Sequence, residues 1–384
     1  MTIAFTGGAI LTPVGFQTDM SLLVEGSVIT AVGPTAHQDA DTVIDLAGDM
    51  LIPGFTDIQV NGGGGILFND NPTVDAIRAI GRAHRPFGTT GYLPTLISDD
   101  LDKTAAAIAA VDAAITEGVP GVLGIHIEGP FLNPLKKGIH NADKFRTLDD
   151  AAIDLLSSLK HGVTHVTLAP EQTSPDMIRK LVQRGVKVSA GHTNATYEET
   201  MDALDAGLSG FTHLYNAMTP MESRKPGVVG AAFAYARSFA GIIVDGFHVH
   251  PGSLKAAIAA KGIHHMMLVT DAMPCVGAKD KSFRLQGIDI KVIDGKCTGP
   301  DGTLAGSDLD MISAVRNSIN WLDISLESAV AMASTSPAAY LGLTETIGTL
   351  ETGKQANMLR LSASLDIKES WIGGREATDP TRST

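Results

Sequence analysis

Three side chains of this chain could hold a metal ion between them: Glu128, His192 and His213. Each stands at or just beyond the end of a short apolar run, namely GVLGIHIEG, KVSAGH and GFTHLYN. One carboxylate and two imidazoles leave a fourth position open, which is the donor set of a catalytic zinc site. Asp271 ends a further run, HMMLVTDA. A carboxylate there could take a proton from an attacking water and later return it to a departing amine. Taken singly, each residue has a plainer reading. A strand-end histidine can be an ordinary polar residue, and an aspartate before a helix is a good N-cap. The case for chemistry is their equivalent placement, shared with Gln59, Asn61, Glu171, Asp245 and His248. Burying so many polar groups at random would be costly, so their common location argues for one site.

Other residues are open to two readings. His140, in NPLKKGIHN, could donate to a developing oxyanion or could simply be solvated. Arg224 and Lys225, in ESRKPG, could join His248 as local positive charge for a phosphate; the alternative is a solvated basic pair. Gly62 to Gly65 could form a phosphate nest or a tight loop giving access to the site. Gly348 to Lys354 matches GxxxxGK, but Gln355 stands where a P-loop needs Ser or Thr. His84, His161, His165, His264 and His265 fall in helices or before strands and read as structural or solvated.

The elements that must position these residues follow a regular rhythm. Eight apolar runs start at residues 55, 90, 121, 165, 187, 210, 240 and 265, separated by alanine-rich helical stretches. Continuous apolar runs mark strands buried on both faces, and alternation with helices marks parallel pairing. Eight such units predict an α/β fold, a (β/α)8 TIM-like barrel, with a doubly wound open sheet as the alternative. Thr196 and Glu199 form a capping-box pattern, and Gly207 is a stop signal after ALDA. Residues 283–307 read as a strand-rich insertion after the eighth run. Both chain ends alternate apolar and polar residues between glycine turns. They predict one small β-sandwich domain from residues 1–50 and 345–384, around a catalytic barrel over 51–344.

Bulk properties exclude several classes. The chain has 384 residues, 44% hydrophobic and 18% charged, which suits a soluble globular core. A formal net charge of −13 argues against nucleic acid as a partner. Any anionic ligand then needs local positive charge. Two cysteines, Cys275 and Cys297, with no CxxC pair, exclude a sulfur-built metal site and point to a reducing compartment. No signal peptide or membrane span is evident, so no membrane partner and a cytoplasmic location are expected.

An ordered set of motifs resembles one family. PGFTDIQVNGGGG, GIHIEGPFLNPLKKGIHN, VTLAPE, SAGHTNAT, THLYNAMTP, ESRKPGVVG, DGFHV, LVTDAMP and GTLAGS succeed one another. The order is similar to that of the N-acetylglucosamine-6-phosphate deacetylases, within the amidohydrolase superfamily. The resemblance runs from about residue 50 to residue 357. It implies hydrolysis of N-acetylglucosamine 6-phosphate to glucosamine 6-phosphate and acetate, by a barrel with a small β-sandwich, in a homodimer. It also implies roles. Glu128, His192 and His213 would bind the metal, Asp271 would be the general base and acid, and His140 would polarise the acetyl carbonyl. Ile139, Asn216, Ala217, Arg224, Asp245, Gly246, Phe247, His248, Leu304, Ala305 and Gly306 would hold the sugar phosphate, with Arg224 and His248 as candidates to act across the dimer. Many amidohydrolases use His-x-His at the end of the first strand for a second metal. This chain has Gln59 and Asn61 there, and amides are poor ligands for transition metals. One divalent ion per subunit is therefore expected, zinc first and iron(II) next. The N-acetylgalactosamine-6-phosphate enzyme shares every motif and is the nearest rival. A dihydroorotase-like cyclic amidase would need His-x-His and a modified lysine. A non-catalytic binding protein would not need all four central residues.

Overall fold

The computed structural model describes residues 1–38 and 40–377; the last residues of the expected C-terminal flank, 378–384, lie outside the described residues. Eight parallel strands form one sheet in sequence order: β1 (Phe55–Val60), β2 (Thr89–Ile97), β3 (Gly124–Glu128), β4 (Val163–Leu168), β5 (Lys187–Ala190), β6 (Gly210–Phe211), β7 (Phe239–Ile242) and β8 (Met266–Leu268). A doubly wound sheet would reverse its order partway; this one does not. It closes instead, through a parallel bridge between Val60 and Ala272. The carbonyl of Ala272 accepts the N–H groups of Asn61 at 2.9 Å and Gly62 at 3.1 Å. A buried side chain reinforces the seam. Asp57 on β1 accepts the Thr270 hydroxyl at 2.5 Å and the Thr270 N–H at 3.3 Å. The chain is a (β/α)8 barrel.

A helix follows each strand, because parallel neighbours can be joined only by a crossover. These are α1 (Val74–His84), α2 (Leu101–Thr116), α3 (Asp150–Leu156), α4 (Pro175–Gln183), α5 (Tyr197–Asp205), α6 (Gly227–Ala234), α7 (Pro251–Lys261) and α8 (Met311–Leu322). The expected capping box is present at α5. Glu199 N–H donates to the Thr196 hydroxyl at 3.2 Å, and Thr196 N–H donates to the Glu199 carboxylate at 2.8 Å. β1, β2 and β3 are buried at every position, since helices cover their outer face and the barrel interior their inner face.

The inner face is unusually polar. His126 lies between the hydroxyls of Thr95 at 3.1 Å and Thr167 at 2.8 Å, and Thr167 meets Thr212 at 2.6 Å. His165 stacks on His126 with ring centroids 4.1 Å apart. His165 is thus structural and buried, as is His84, which meets the Gly62 carbonyl at 2.9 Å.

The N-terminal segment forms one further sheet, and both chain ends together form another. Four strands (Thr2–Thr6, Ser21–Glu25, Val28–Gly33, Thr42–Asp45) form one. The other has six: Ala9–Thr12, Gly15–Gln17, Met50–Pro53, Met358–Leu361, Ile367–Ile372 and Arg375–Glu376. In the six-stranded sheet, Ile10, Leu51 and Met358 pack with Phe5 and Leu22 of the other sheet. Their neighbours Leu11, Ile52 and Leu359 join the barrel core instead. This is the two-residue alternation of a strand covered on both faces.

The predicted insertion is a three-stranded antiparallel sheet: Phe283–Leu285, Ile288–Ile293 and Lys296–Thr298. Leu285, Ile290 and Cys297 pack on Leu67, Ile97 and Met273, so it caps the end of the barrel where β2 and β8 finish. Cys275 and Cys297 are free buried thiols with sulfurs 3.8 Å apart. Among the described residues no helix is long and apolar enough to cross a membrane.

Candidate active site

Glu128 is the last residue of β3; His192 and His213 each lie two residues beyond their strands, and Asp271 three beyond β8. The barrel brings all four to its C-terminal mouth. His213 Nε2 lies 2.9 Å from Glu128 Oε1 and 3.1 Å from His192 Nε2. His192 Nε2 lies 3.2 Å from the same carboxylate oxygen. His192, His213 and Asp271 have φ of 47°, 32° and 53°, on the left-handed side of backbone space. Bulky side chains adopt such a backbone only where surrounding structure holds it, and it concentrates at functional sites.

Three donors meeting edge to edge suit a cation. His192 Nδ1 faces the Lys136 carbonyl at 2.8 Å, so Nδ1 carries the proton and Nε2 presents a lone pair. Four ligands placed tetrahedrally at zinc bond lengths stand roughly 3.3 Å apart, close to the spacing here. Ligand-capable atoms of Glu128, His140 and His192 also lie within 4.8 Å of one another. The set with His213 is the tighter, and the one whose spacing fits an ion. Electrostatics make Glu128 an anion, and a cation bound here would displace the proton that Glu128 favours on His213. Burial pushes the Glu128 carboxyl up, but the facing rings of His192 and His213 outweigh it and hold it well below its usual range. Burial opposes charge on His213, yet the Glu128 carboxylate raises its pKa.

Asp271 faces this set from across the mouth. Burial, with Glu128 nearby, pushes its carboxyl up to about 6. Its Oδ1 accepts the Asn61 amide at 2.7 Å and the Gln59 amide at 3.1 Å. The Gln59 amide also reaches Glu128 Oε2 at 3.3 Å. At the end of the first strand Gln59 therefore ties two carboxylates together, and Asn61 braces one of them. Gly306 sits against this corner with φ 57°; a side chain there would meet the Asp271 carbonyl at 2.7 Å.

One cavity of about 360 Å³ contains Asn61, Glu128, His140, His192, His213 and Asp271 in its lining. Of the expected sugar-phosphate residues, Ile139, Asn216, Ala217, His248, Leu304 and Gly306 also line it. Asp245 acts behind His248, accepting its Nδ1 at 2.6 Å. Burial raises the Asp245 carboxyl, but His248 outweighs it and holds it low. Phe247 is exposed and Ala305 is buried behind the lining. Arg224 is not in this cavity. It lines a separate one of about 330 Å³ with Lys225, Asn194 and Glu198. Glu171, also a strand-end residue, accepts from Asn133 at 2.9 Å, Thr193 at 2.5 Å and Asn194 at 2.6 Å, bracing the loop that follows His192.

Sequence reasoning missed Lys136, Thr303 and Leu285, which line the cavity. Lys136 was the most accessible of these, standing four residues before His140 in the same motif. It also missed Ser98, whose hydroxyl lies 2.8 Å from His140 Nδ1.

A donor set that could hold a metal, with a buried carboxylate, at the C-terminal mouth of a (β/α)8 barrel defines a class, and comparison with known proteins supplies it: the chain belongs to the amidohydrolase family, whose model matches residues 50–379. Within that family its similar relatives are hexosamine-phosphate deacetylases. The N-acetylgalactosamine-6-phosphate deacetylase of Shewanella sp. (strain ANA-3) is 46% identical over 331 residues, 86% of this chain and 83% of that protein. The N-acetylglucosamine-6-phosphate deacetylase of Haemophilus influenzae is 32% identical over 98% of this chain and 99% of that protein. The crystal structure of N-acetylglucosamine-6-phosphate deacetylase from Pasteurella multocida superposes with a TM-score of 0.94, at 34% identity, covering 98% of this chain and 100% of that one.

Proposed function

We propose that this chain hydrolyses the acetamide of N-acetyl-D-glucosamine 6-phosphate to acetate and D-glucosamine 6-phosphate. The observation that carries the reading is the meeting of Glu128, His192 and His213 within 3.2 Å, in a cavity that Asp271 also lines. A divalent cation held by these three would polarise the amide carbonyl and activate water at neutral pH. One carboxylate and two imidazoles suit zinc, with iron(II) next.

The protein's own groups do the rest. Gln59 and Asn61 engage Oδ1 of Asp271, which leaves Oδ2 to take a proton as water attacks the carbonyl carbon. Asp271 then returns that proton to the amide nitrogen as the C–N bond breaks. His140 donates to the carbonyl oxygen while negative charge builds on it. Ile139, Asn216, Ala217, Leu304 and Gly306 surround the sugar, while His248, backed by Asp245, meets the phosphate. Gly246, Phe247 and Ala305 shape the loops around them. Arg224 lies outside the cavity, so it reaches phosphate only from a second copy of the chain, in a homodimer. An apolar cluster drawn from both chain ends, Phe5 to Leu51 and Leu350 to Trp371, supports a division into a barrel over 51–344 and a β domain from 1–50 and 345–384, with the strand Met50–Pro53 crossing the boundary. Two free thiols and a phosphorylated substrate suit a cytoplasmic setting.

A second reading, the galacto epimer, is favoured by the 46% identity to the Shewanella protein. Acetate release from the two N-acetylhexosamine 6-phosphates, measured in parallel on metal-replete protein, tests both. Higher kcat/KM with the gluco substrate is expected. The reverse ratio selects the galacto reading, and no acetate from either ends both.

A further inference from the structure

His140 lines the cavity, and the fold leaves its chemical role to a neighbour. Its ring packs on His192 with centroids 4.4 Å apart, close enough to compete for a metal. Which role it takes depends on which ring nitrogen carries hydrogen. A nitrogen with a lone pair can bind a cation, whereas one bearing hydrogen can only donate.

Ser98 decides between these. It follows β2 directly, is 1% exposed, and sets two groups against His140 Nδ1. Its hydroxyl lies 2.8 Å away, and its backbone N–H donates at 3.4 Å. A backbone N–H always carries hydrogen, so Nδ1 must be the acceptor; hydrogen on Nδ1 would point at hydrogen on Ser98 N. The hydroxyl could also turn to the Glu128 carbonyl at 3.4 Å, but its shorter contact is to Nδ1, where it donates to the same lone pair. The ring hydrogen is then on Nε2, the nitrogen left for the cavity.

The placement of Ser98 is itself held from several sides. Asn69 pins the strand end, accepting Ile97 N–H at 2.9 Å and donating to the Ile97 carbonyl at 3.0 Å. Gly129 leaves room for the hydroxyl: a side chain there would stand 2.3 Å from Ser98 Oγ. The insertion reaches across as well. Gln286, at the turn between its first two strands, donates to the Ser98 carbonyl at 2.7 Å. The Gln286 side-chain oxygen accepts Asn141 N–H at 3.2 Å, one residue from His140. One amide therefore spans the two segments that carry the pair.

We propose that Ser98, held by Gln286, is a positioning residue that fixes His140 as an Nε2–H donor to the substrate carbonyl and keeps it out of the metal ligand set. The catalytic part of this statement rests on the hydrolytic reading above; the tautomer does not.

Nitrogen-15 NMR of histidine-labelled, metal-replete protein reads the tautomer directly, with His140→Gln identifying the signals. In the native chain Nδ1 of His140 should be the unprotonated nitrogen. In Ser98→Ala the signals should move toward a mixture of tautomers. kcat should fall about tenfold, short of the ~10²-fold or greater loss for removing an oxyanion donor outright. KM and bound metal should stay as in the native protein. Gln286→Ala, on a half-buried turn, should shift the signals the same way by less and guards against a misfolded Ser98→Ala. Protonated Nδ1 in the native chain, or native signals in both variants, overturns the proposal. A native protein that releases no acetate while showing the expected tautomer overturns the hydrolytic reading and leaves the tautomer assignment standing.

Discussion

Asp57 offers a measurable handle on how the barrel seam is held. The carboxylate is fully buried and accepts from Thr270 N–H, from the Thr270 hydroxyl and from Gln59 N–H at 3.2 Å. Burial pushes its pKa up to about 7, against the pull of those donors. In the unfolded chain an aspartate titrates near ~3.9. Between the two values the folded chain holds a proton that the unfolded chain has released. Stability from this group is therefore complete below ~4 and is lost as pH rises through about 7. The loss between pH 5 and pH 8 is roughly 3 kcal/mol, at about 1.4 kcal/mol per unit. The Asp57→Asn variant removes this titration. The asparagine oxygen can keep the two backbone donors, and its amide can donate to the Thr270 hydroxyl, whose hydrogen can turn to the Gln59 carbonyl at 3.4 Å. For 384 residues the unfolding entropy is about 0.8 kcal/mol per degree, so the difference is a Tm shift of about 3–4 °C. Calorimetric melts of both proteins from pH 5 to pH 8 should show Asp57→Asn gaining on the native chain by that amount. Subtracting the two curves removes the titrations they share, apart from the coupling between Asp57 and Asp271. Parallel curves would refute the argument, as would an Asp57→Asn variant that melts far below the native chain at pH 8.

Two further outcomes bear on the site. Asp271→Asn should keep its bound metal and lose at least ~10²-fold in kcat, and near-normal turnover by a metal-replete variant would remove Asp271 from proton transfer. Arg224→Ala should raise KM for the sugar phosphate with little change in kcat; an unchanged KM would show that this arginine does not reach the phosphate from a second copy.

The sequence alone was enough to place the central residues. Strand burial and helix crossovers leave local patterns, and in a barrel every strand delivers its end to the same mouth. Finding Glu128, His192, His213 and Asp271 past apolar runs therefore placed them together before any distance was known. The capping box at Thr196 was legible for the same reason, since its partners are three residues apart. The tertiary structure decided what those residues touch. Gln59 and Asn61 meet Asp271 from more than 200 positions away, which turns two poor metal ligands into the donors that hold a carboxylate. Ser98 reaches His140 across 42 residues, and the Lys136 carbonyl sets His192 across 56. Arg224 follows β6 as closely as many cavity residues follow their strands, yet it lies in a different cavity. Period and spacing record only which face a residue takes on its own element. Hydrogen bonds between elements depend on the path of each loop, and a backbone carbonyl or a lone serine leaves no pattern from which that path could be read.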